Sequence, residues 1–284
     1  MLKLGIIGNP LTHSLSPLMH EAALKALNIE GEYKKHEISE GELAKKLQEL
    51  KSSGVRGLNI TIPFKKKVLT LLDDLTDTAK LTGAVNTITF LENGKTLGDN
   101  TDIYGFYKAI PEDIRTALNG KNISILGYGG SAQAIAISIL LNIKNVPVIT
   151  ISGRDIEKLK TFQSFVDSKK QELNLKTNIE IKRFEELDLS STNLLINTTP
   201  LGMYPKIEES PISKEKLKEL PKNSLVYDII YNPLETKLLK DSNTLGLKTL
   251  NGVDMLVLQG AKSLSLWLEQ DFIPTEVMKK IIVR

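Results

Sequence analysis

Residues 122–132, Asn-Ile-Ser-Ile-Leu-Gly-Tyr-Gly-Gly-Ser-Ala, restrict the fold more than any other stretch of the chain. Five residues of strand character run into the pattern G-x-G-x-x-A, and an apolar helix is predicted over residues 133–141. A strand, a glycine turn and a helix in that order open a dinucleotide-binding βαβ unit. Each small residue has a physical reason to be there. Gly127 permits the tight turn, Gly129 lets backbone approach a pyrophosphate, and Ala132 lets the helix pack closely on the strand. Gly130 and Ser131 complete the loop at the helix N-terminus, where N–H groups and the helix dipole favour phosphate.

The chain beyond the loop extends this unit. A strand over residues 146–152 ends at Ser152-Gly153-Arg154-Asp155. An acid near the end of such a strand bonds the ribose 2′-OH of NAD, whereas an arginine accommodates the 2′-phosphate of NADP. Arg154 favours NADP, with Lys158 one helical turn later in support. Asp155 is discordant, and two readings stay open: a cap for the next helix, or a charge that repels the phosphate. Further strands are predicted over residues 179–183, 194–197 and 225–228, the last taken as the final strand. The polar loop Asn197-Thr198-Thr199-Pro200-Leu201-Gly202-Met203 follows the second of these, at the end where open α/β sheets bind ligands. Asn251-Gly252-Val253-Asp254 then caps a long helix carrying Met255, Leu256, Trp267 and a buried-polar candidate, Gln259.

The N-terminal part repeats the strand–helix alternation, which predicts a mostly parallel sheet. Strands are expected over residues 3–7, 32–37 and 57–62, with an amphipathic helix over 40–52 whose apolar face is Leu43, Leu47 and Leu50. In Ser14-Leu15-Ser16-Pro17, Ser16-Pro17 reads as N-cap and first helical position, and the two hydroxyls form a plausible anion cradle. Asn59-Ile60-Thr61-Ile62-Pro63-Phe64-Lys65 alternates as a half-buried strand until Pro63, which fits the start of a helix over residues 64–72. Lys65, Lys66 and Lys67 then stand against the dipole of that helix, which favours proton release from a lysine placed there. An aspartate beside it would favour the charged form instead, so the net effect stays open. A strand beginning at Gly83-Ala84-Val85-Asn86 and a turn at Asn93-Gly94 lead to Asn100-Thr101-Asp102, where Asp102 reads equally as a helix cap.

Composition removes several function classes. The 284 residues carry 37 Lys and Arg against 34 Asp and Glu, a net charge of +3, with no arginine-rich arm, which argues against nucleic acid. There is no cysteine, and three histidines make a multi-histidine metal site a poor reading, so no metal is expected. No apolar run reaches membrane-spanning length, and the N-terminal apolar stretch is too brief for a signal peptide; a soluble cytoplasmic protein is expected.

These stretches together, with Gly8-Asn9-Pro10 and Tyr231-Asn232-Pro233, resemble the shikimate dehydrogenases over nearly the whole chain. The resemblance implies an α/β fold of two domains with a cleft between them: a substrate domain from residues 1–103 plus 251–284, and an inserted Rossmann-type NADP domain over 104–250. It implies NADP-linked, reversible reduction of 3-dehydroshikimate to shikimate in aromatic amino-acid biosynthesis, by a monomer or homodimer. Lys65 and Asp102 would be the catalytic pair, Ser14 and Ser16 would hold the substrate carboxylate, and Asn59, Thr61, Asn86, Tyr231 and Gln259 would line the same pocket. Beyond the glycine loop, Arg154 and Lys158, cofactor contacts are expected from Thr198, Thr199, Met203, Ile229, Gly252 and Met255. One departure stands out: the family's Asn-Arg-Thr is Gly153-Arg154-Asp155 here. The rival readings are a quinate/shikimate dehydrogenase using NAD, a methylenetetrahydrofolate-type dehydrogenase and a non-catalytic NADP-binding sensor. Asn100-Thr101-Asp102 with Ser14 and Ser16 argues against the folate enzyme, and the presence of Lys65 and Asp102 against the sensor.

Overall fold

The computed structural model describes residues 1–283. The chain forms two compact units, one from residues 1–105 together with those from 257 onward, the other from residues 106–256.

The first unit begins β1 (Leu2–Gly8), α1 (Ser16–Ala26), β2 (Gly31–Glu37), α2 (Leu43–Ser52) and β3 (Gly57–Ile60), and β1 pairs in parallel with both β2 and β3. The alternation then gives way to short pieces: β4 (Asp74–Leu75), α3 (Asp77–Thr82), β5 (Thr87–Phe90), β6 (Thr96–Asp99) and the start of α4 (Asp102–Ala109). Strand β5 runs antiparallel to β3 and β6, so the six-stranded sheet β2-β1-β3-β5-β6-β4 is parallel on one side and closes with a hairpin turned at Gly94, φ 80°. Leu43, Leu47 and Leu50 of α2 pack with Ile7, Leu58, Phe64, Val68 and Ile88 in the core of this sheet.

The second unit holds α5 (Glu112–Ala117), β7 (Asn122–Leu126), α6 (Gly130–Asn142), β8 (Val148–Gly153), α7 (Ile156–Glu172), β9 (Asn178–Arg183) and β10 (Thr192–Asn197). It continues with α8 (Lys214–Leu217), β11 (Leu225–Asp228), α9 (Lys237–Thr244) and β12 (Lys248–Leu250). All pairings in its sheet are parallel, in the order β12-β11-β10-β7-β8-β9. Read from its first strand outward this is the 3-2-1-4-5-6 order of a doubly wound dinucleotide fold. Helix α6 is buried continuously from Ala132 to Leu140, which explains why its sequence is apolar on every side. The chain ends with α10 (Val253–Leu268) and α11 (Thr275–Ile282).

Several local expectations need correction. Pro63 starts no α-helix: residues 62–66 form turns, the Ile62–Pro63 peptide is cis, and only a short 3₁₀ helix, Lys67–Leu71, follows. Lys65 therefore opens no α-helix of its own. Ser16 is not a cap but the first residue of α1, and Leu15 occupies the cap position without a side-chain hydrogen bond. Asp102 likewise is the first residue of α4 rather than its cap. The strand over 225–228 is not the last, since β12 adds three residues at the sheet edge, too few for a periodicity to register. Gln259 is half-buried, not buried. Among the described residues no helix is long and apolar enough to cross a membrane.

Candidate active site

In the first unit, three backbone hydrogen bonds and two packing contacts hold the turn that carries Lys65. Phe64 is fully buried, the Phe64 N–H donates to the Thr61 carbonyl at 2.9 Å, and the Val85 N–H donates to the Lys65 carbonyl at 2.8 Å. Upstream, the Asn9 N–H donates to the Ile62 carbonyl at 2.9 Å, and Thr61 sits so close to Gly8 that a Cβ there would lie 2.4 Å from Thr61 Cγ2. The turn is thus anchored at both ends, and the lysine side chain, 20% exposed, reaches Asp102. Lys65 Nζ donates to Asp102 Oδ2 at 2.6 Å. Of the other two lysines, Lys66 is exposed, and Lys67 pairs on the surface with Glu40.

Asp102 is itself held on three sides. Asn86 Nδ2 donates to its Oδ1 at 2.8 Å, and its own N–H donates to Asn100 Oδ1 at 3.2 Å. Asn100 is locked in turn by donating to Thr82 Oγ1 and to the Ala84 carbonyl. Gln259, on α10, accepts from Asn86 Nδ2 at 3.3 Å. Lys65, Asp102, Asn86 and Gln259 therefore form one connected polar cluster. A partly buried ion pair of this kind is stable only because further donors satisfy the carboxylate.

Asn59 lies at the same strand end but faces inward. Its Oδ1 accepts from the Tyr33 hydroxyl at 2.7 Å, while Nδ2 donates to Ser263 Oγ at 3.0 Å and the Asn86 carbonyl at 3.1 Å. Both ends of the amide are hydrogen-bonded within the protein. Tyr33 is buried, stacked on His20 with ring centroids 4.4 Å apart, and its hydroxyl is pushed well above 10 by burial, opposed by a hydrogen bond with Ser16. Ser14 and Ser16 stand together: the Ser16 N–H meets Ser14 Oγ at 3.4 Å. Ser14 is half-buried and Ser16 is 7% exposed.

In the second unit the glycine loop has the form its sequence implies. Gly127 has φ 109°, and a Cβ there would lie 2.4 Å from Thr198 Oγ1. Gly129 caps α6 in extended conformation, and a Cβ at Gly129 or Gly130 would meet nothing within 4 Å. Backbone there is open to close approach, with Ser131 following in the first turn and no acid among the first residues of the helix. That is what a pyrophosphate needs, so the residues present fit a dinucleotide.

Arg154 is exposed at the end of β8. Asp155 accepts from the N–H groups of Glu157 and Lys158 at 3.0 and 3.2 Å, so it is the cap of α7, with Lys158 Nζ 3.7 Å from it. The departure at Gly153 has a packing cause as well: a Cβ there would lie 2.5 Å from Tyr128 Cε1. Thr198 Oγ1 donates to the Leu126 carbonyl at 2.6 Å, and Thr199 donates to Asn197 Oδ1 through its N–H and hydroxyl. A Cβ on Gly252 would stand 1.9 Å from the Ile229 carbonyl oxygen, so only glycine fits there. Met203 is exposed, Met255 buried and Tyr231 half-buried in this unit, the Tyr231 hydroxyl pushed up by desolvation.

Sequence reading missed Asp228. Fully buried at the end of β11, it accepts from Asn197 Nδ2 and the Ile230 N–H at Oδ1, and from the Thr236 hydroxyl at Oδ2, 2.7 Å. Burial raises its carboxyl from 3.8 to about 6 against the pull of those donors. Its signal was available: a carboxylate closing an apolar strand beside another strand closed by Asn197. Among the described residues no group of three or more His, Cys, Asp or Glu is placed to hold a metal ion.

The sequence matches the family model for the shikimate dehydrogenase substrate binding domain over residues 6–88. A shikimate dehydrogenase (NADP(+)) of Synechocystis sp. is 38% identical over 283 residues, which is 99% of this chain and 94% of the relative. The chain belongs to the shikimate dehydrogenase family. A crystal structure of a family member in complex with NADP+ superposes with a TM-score of 0.90 at 35% identity, over 100% of this chain and 95% of that one. The family fold also hosts other ketone reductions. A ligand-free 5-ketofructose reductase of Gluconobacter sp. gives a TM-score of 0.88 at 31% identity, over 99% of this chain and 98% of that one.

Proposed function

We propose that this protein catalyses the reversible, NADP-linked interconversion of 3-dehydroshikimate and shikimate, with Lys65 as general acid and base and Asp102 as its partner. The observation that carries the reading is the 2.6 Å pair of Lys65 Nζ and Asp102 Oδ2, backed by Asn86, within a family of that activity. Bound NADPH supplies a hydride. The protein's own residues do the rest. A ketone oxygen that gains negative charge needs a proton, and the Lys65 ammonium is the donor; help of this kind is worth roughly 10²–10⁴ in rate. Asp102 orients the ammonium through the 2.6 Å contact.

The substrate carboxylate is assigned to Ser14 and Ser16, and ring hydroxyls to Asn59, Thr61, Asn86, Gln259 and Tyr231. The second unit is assigned the dinucleotide: Gly127, Gly129, Gly130, Ser131 and Ala132 at the pyrophosphate, and Arg154 and Lys158 at the 2′-phosphate. Thr198, Thr199, Met203, Ile229, Gly252 and Met255 are assigned the remaining cofactor contacts. The protein is proposed to act in the cytoplasm, as a monomer or homodimer.

Reduced-nicotinamide absorbance tests the reading with shikimate and NADP⁺, then with NAD⁺, quinate and, in reverse, 5-ketofructose. Turnover confined to shikimate with NADP⁺ supports it; a clear preference for quinate or 5-ketofructose overturns it. Lys65→Ala should lower kcat by about 10² or more while KM changes little. Near-normal kcat in that variant removes Lys65 from the chemistry.

A further inference from the structure

Behind Asn86 lies a set of buried hydroxyls that touch neither partner of the ion pair. Thr87 comes from β5, Thr101 from the turn before α4 and Ser263 from α10, and all three are at most 2% exposed. Thr87 Oγ1 donates to Asn86 Oδ1 at 2.9 Å and lies 2.7 Å from Ser263 Oγ. The Thr101 N–H donates to the same Asn86 oxygen at 2.8 Å, and the Thr101 hydroxyl lies 3.2 Å from that oxygen, 3.0 Å from Asn86 Nδ2 and 3.1 Å from Ser263 Oγ. Asn59 Nδ2 reaches both Ser263 Oγ, at 3.0 Å, and Thr87 Oγ1, at 3.3 Å.

Proton accounting gives this set a direction. Asn86 Oδ1 is ringed by donors, so its amide faces one way only. Flipping it would set an NH₂ group against the Thr101 N–H and an oxygen against the Asp102 carboxylate. In the orientation present, Asn86 Nδ2 donates to Asp102 Oδ1, which leaves Oδ2 for Lys65. Thr87 gives its one hydroxyl proton to Asn86, so its oxygen is left to accept: Asn59 Nδ2 donates to it at 3.3 Å, and Ser263 Oγ lies 2.7 Å away with the Gln259 carbonyl, at 3.0 Å, also within reach of its proton. We infer that Thr87, backed by Ser263, is a positioning residue of the reaction: it sets the Asn86 amide and, through it, the carboxylate that aims Lys65. The inference rests on the roles given to Lys65 and Asp102 above.

Two substitutions at Thr87 separate positioning from packing. Thr87→Val keeps the shape and removes the hydroxyl, whereas Thr87→Ser keeps the hydroxyl and loses a methyl. If Thr87 only packs, Val is harmless and Ser is the worse of the two. If it positions, Thr87→Val lowers kcat/KM by about tenfold or more, and Thr87→Ser stays within about threefold of wild type. The assay is shikimate oxidation with NADP⁺, with a thermal melt on each variant. Should Thr87→Val fail to fold, Ser263→Ala decides: a fall of about threefold or more supports the inference, and wild-type kinetics overturn it. The wild-type arm keeps the two readings apart. No turnover there sinks the reaction itself, whereas full activity in both wild type and Thr87→Val sinks only the role given to Thr87.

Discussion

Asp228→Asn removes a charge that the second unit holds away from water. The folded carboxyl titrates at about 6 against 3.8 ordinarily, so between those values the folded chain keeps a proton that the unfolded chain has released. Stability from this group is full below 3.8, is lost as pH rises towards 6, and is level above that. About two pH units at 1.36 kcal/mol each give a total of about 3 kcal/mol, of which roughly 1.4 kcal/mol falls between pH 5 and pH 7.5. Asparagine suits the pocket. Its Oδ1 can accept from Asn197 Nδ2 and the Ile230 N–H, as Asp228 Oδ1 does at 3.1 Å from each, and its NH₂ can turn to the Thr236 hydroxyl. Urea unfolding of wild type and variant at pH 5 and pH 7.5 measures the effect. The variant should gain about 1–1.5 kcal/mol on wild type across that interval. A difference that stays flat or moves the other way refutes the claim that burial outweighs the three donors. The comparison must be a difference because His20 titrates in the opposite sense: burial lowers its imidazole from 6.5 to about 3, so its contribution is lost as pH falls below 6.5.

The glycine loop gives a paired prediction. Gly127→Ala places a Cβ at φ 109° and 2.4 Å from Thr198 Oγ1, so it should lose about 1–3 kcal/mol of stability by chemical unfolding. Gly129→Ala meets open space in the folded chain, so it should unfold as wild type does while NADP binding by titration weakens by about tenfold or more. Arg154→Ala should raise KM for NADP⁺ far more than for NAD⁺; equal losses for both would move coenzyme choice away from Arg154.

Much of this was legible because sequence neighbours do local work. The strand–glycine–helix run needs only its own residues, and α6 follows from the buried apolar stretch Ala132–Leu140. Lys65 and Asp102, 37 residues apart, were paired by motif resemblance; neither periodicity nor charge joins them. The sequence reading failed where tertiary contacts decide. Pro63 is a good first helical residue, yet Phe64 is buried and the Lys65 carbonyl bonds to Val85, and these fix a turn instead. Asp155 could have been a cap or a repulsive charge, and only the N–H groups of Glu157 and Lys158 choose between them. Thr87, Thr101 and Ser263 read as ordinary strand, turn and helix residues until three elements bring their hydroxyls together. The one hint was that Ser263 follows Gln259 by four positions on the same helix, and so shares its face.

The first unit is assembled from both ends of the sequence, and that sets an order on its making. Trp267 Nε1 donates to the Ile88 carbonyl across 179 positions, and its ring fills the place where a side chain at Gly57 would stand. During synthesis strands β1, β3 and β5 emerge long before that ring exists. The contiguous stretch 106–256 can reach its own parallel sheet first. The Ile88 carbonyl and the flat face over Gly57 meanwhile remain open to water or to chaperones. A chain released after residue 256 would therefore carry every strand of the second sheet while the first unit still lacked Trp267. Moving the chain ends by circular permutation, so that α10 precedes β1, should shorten that wait.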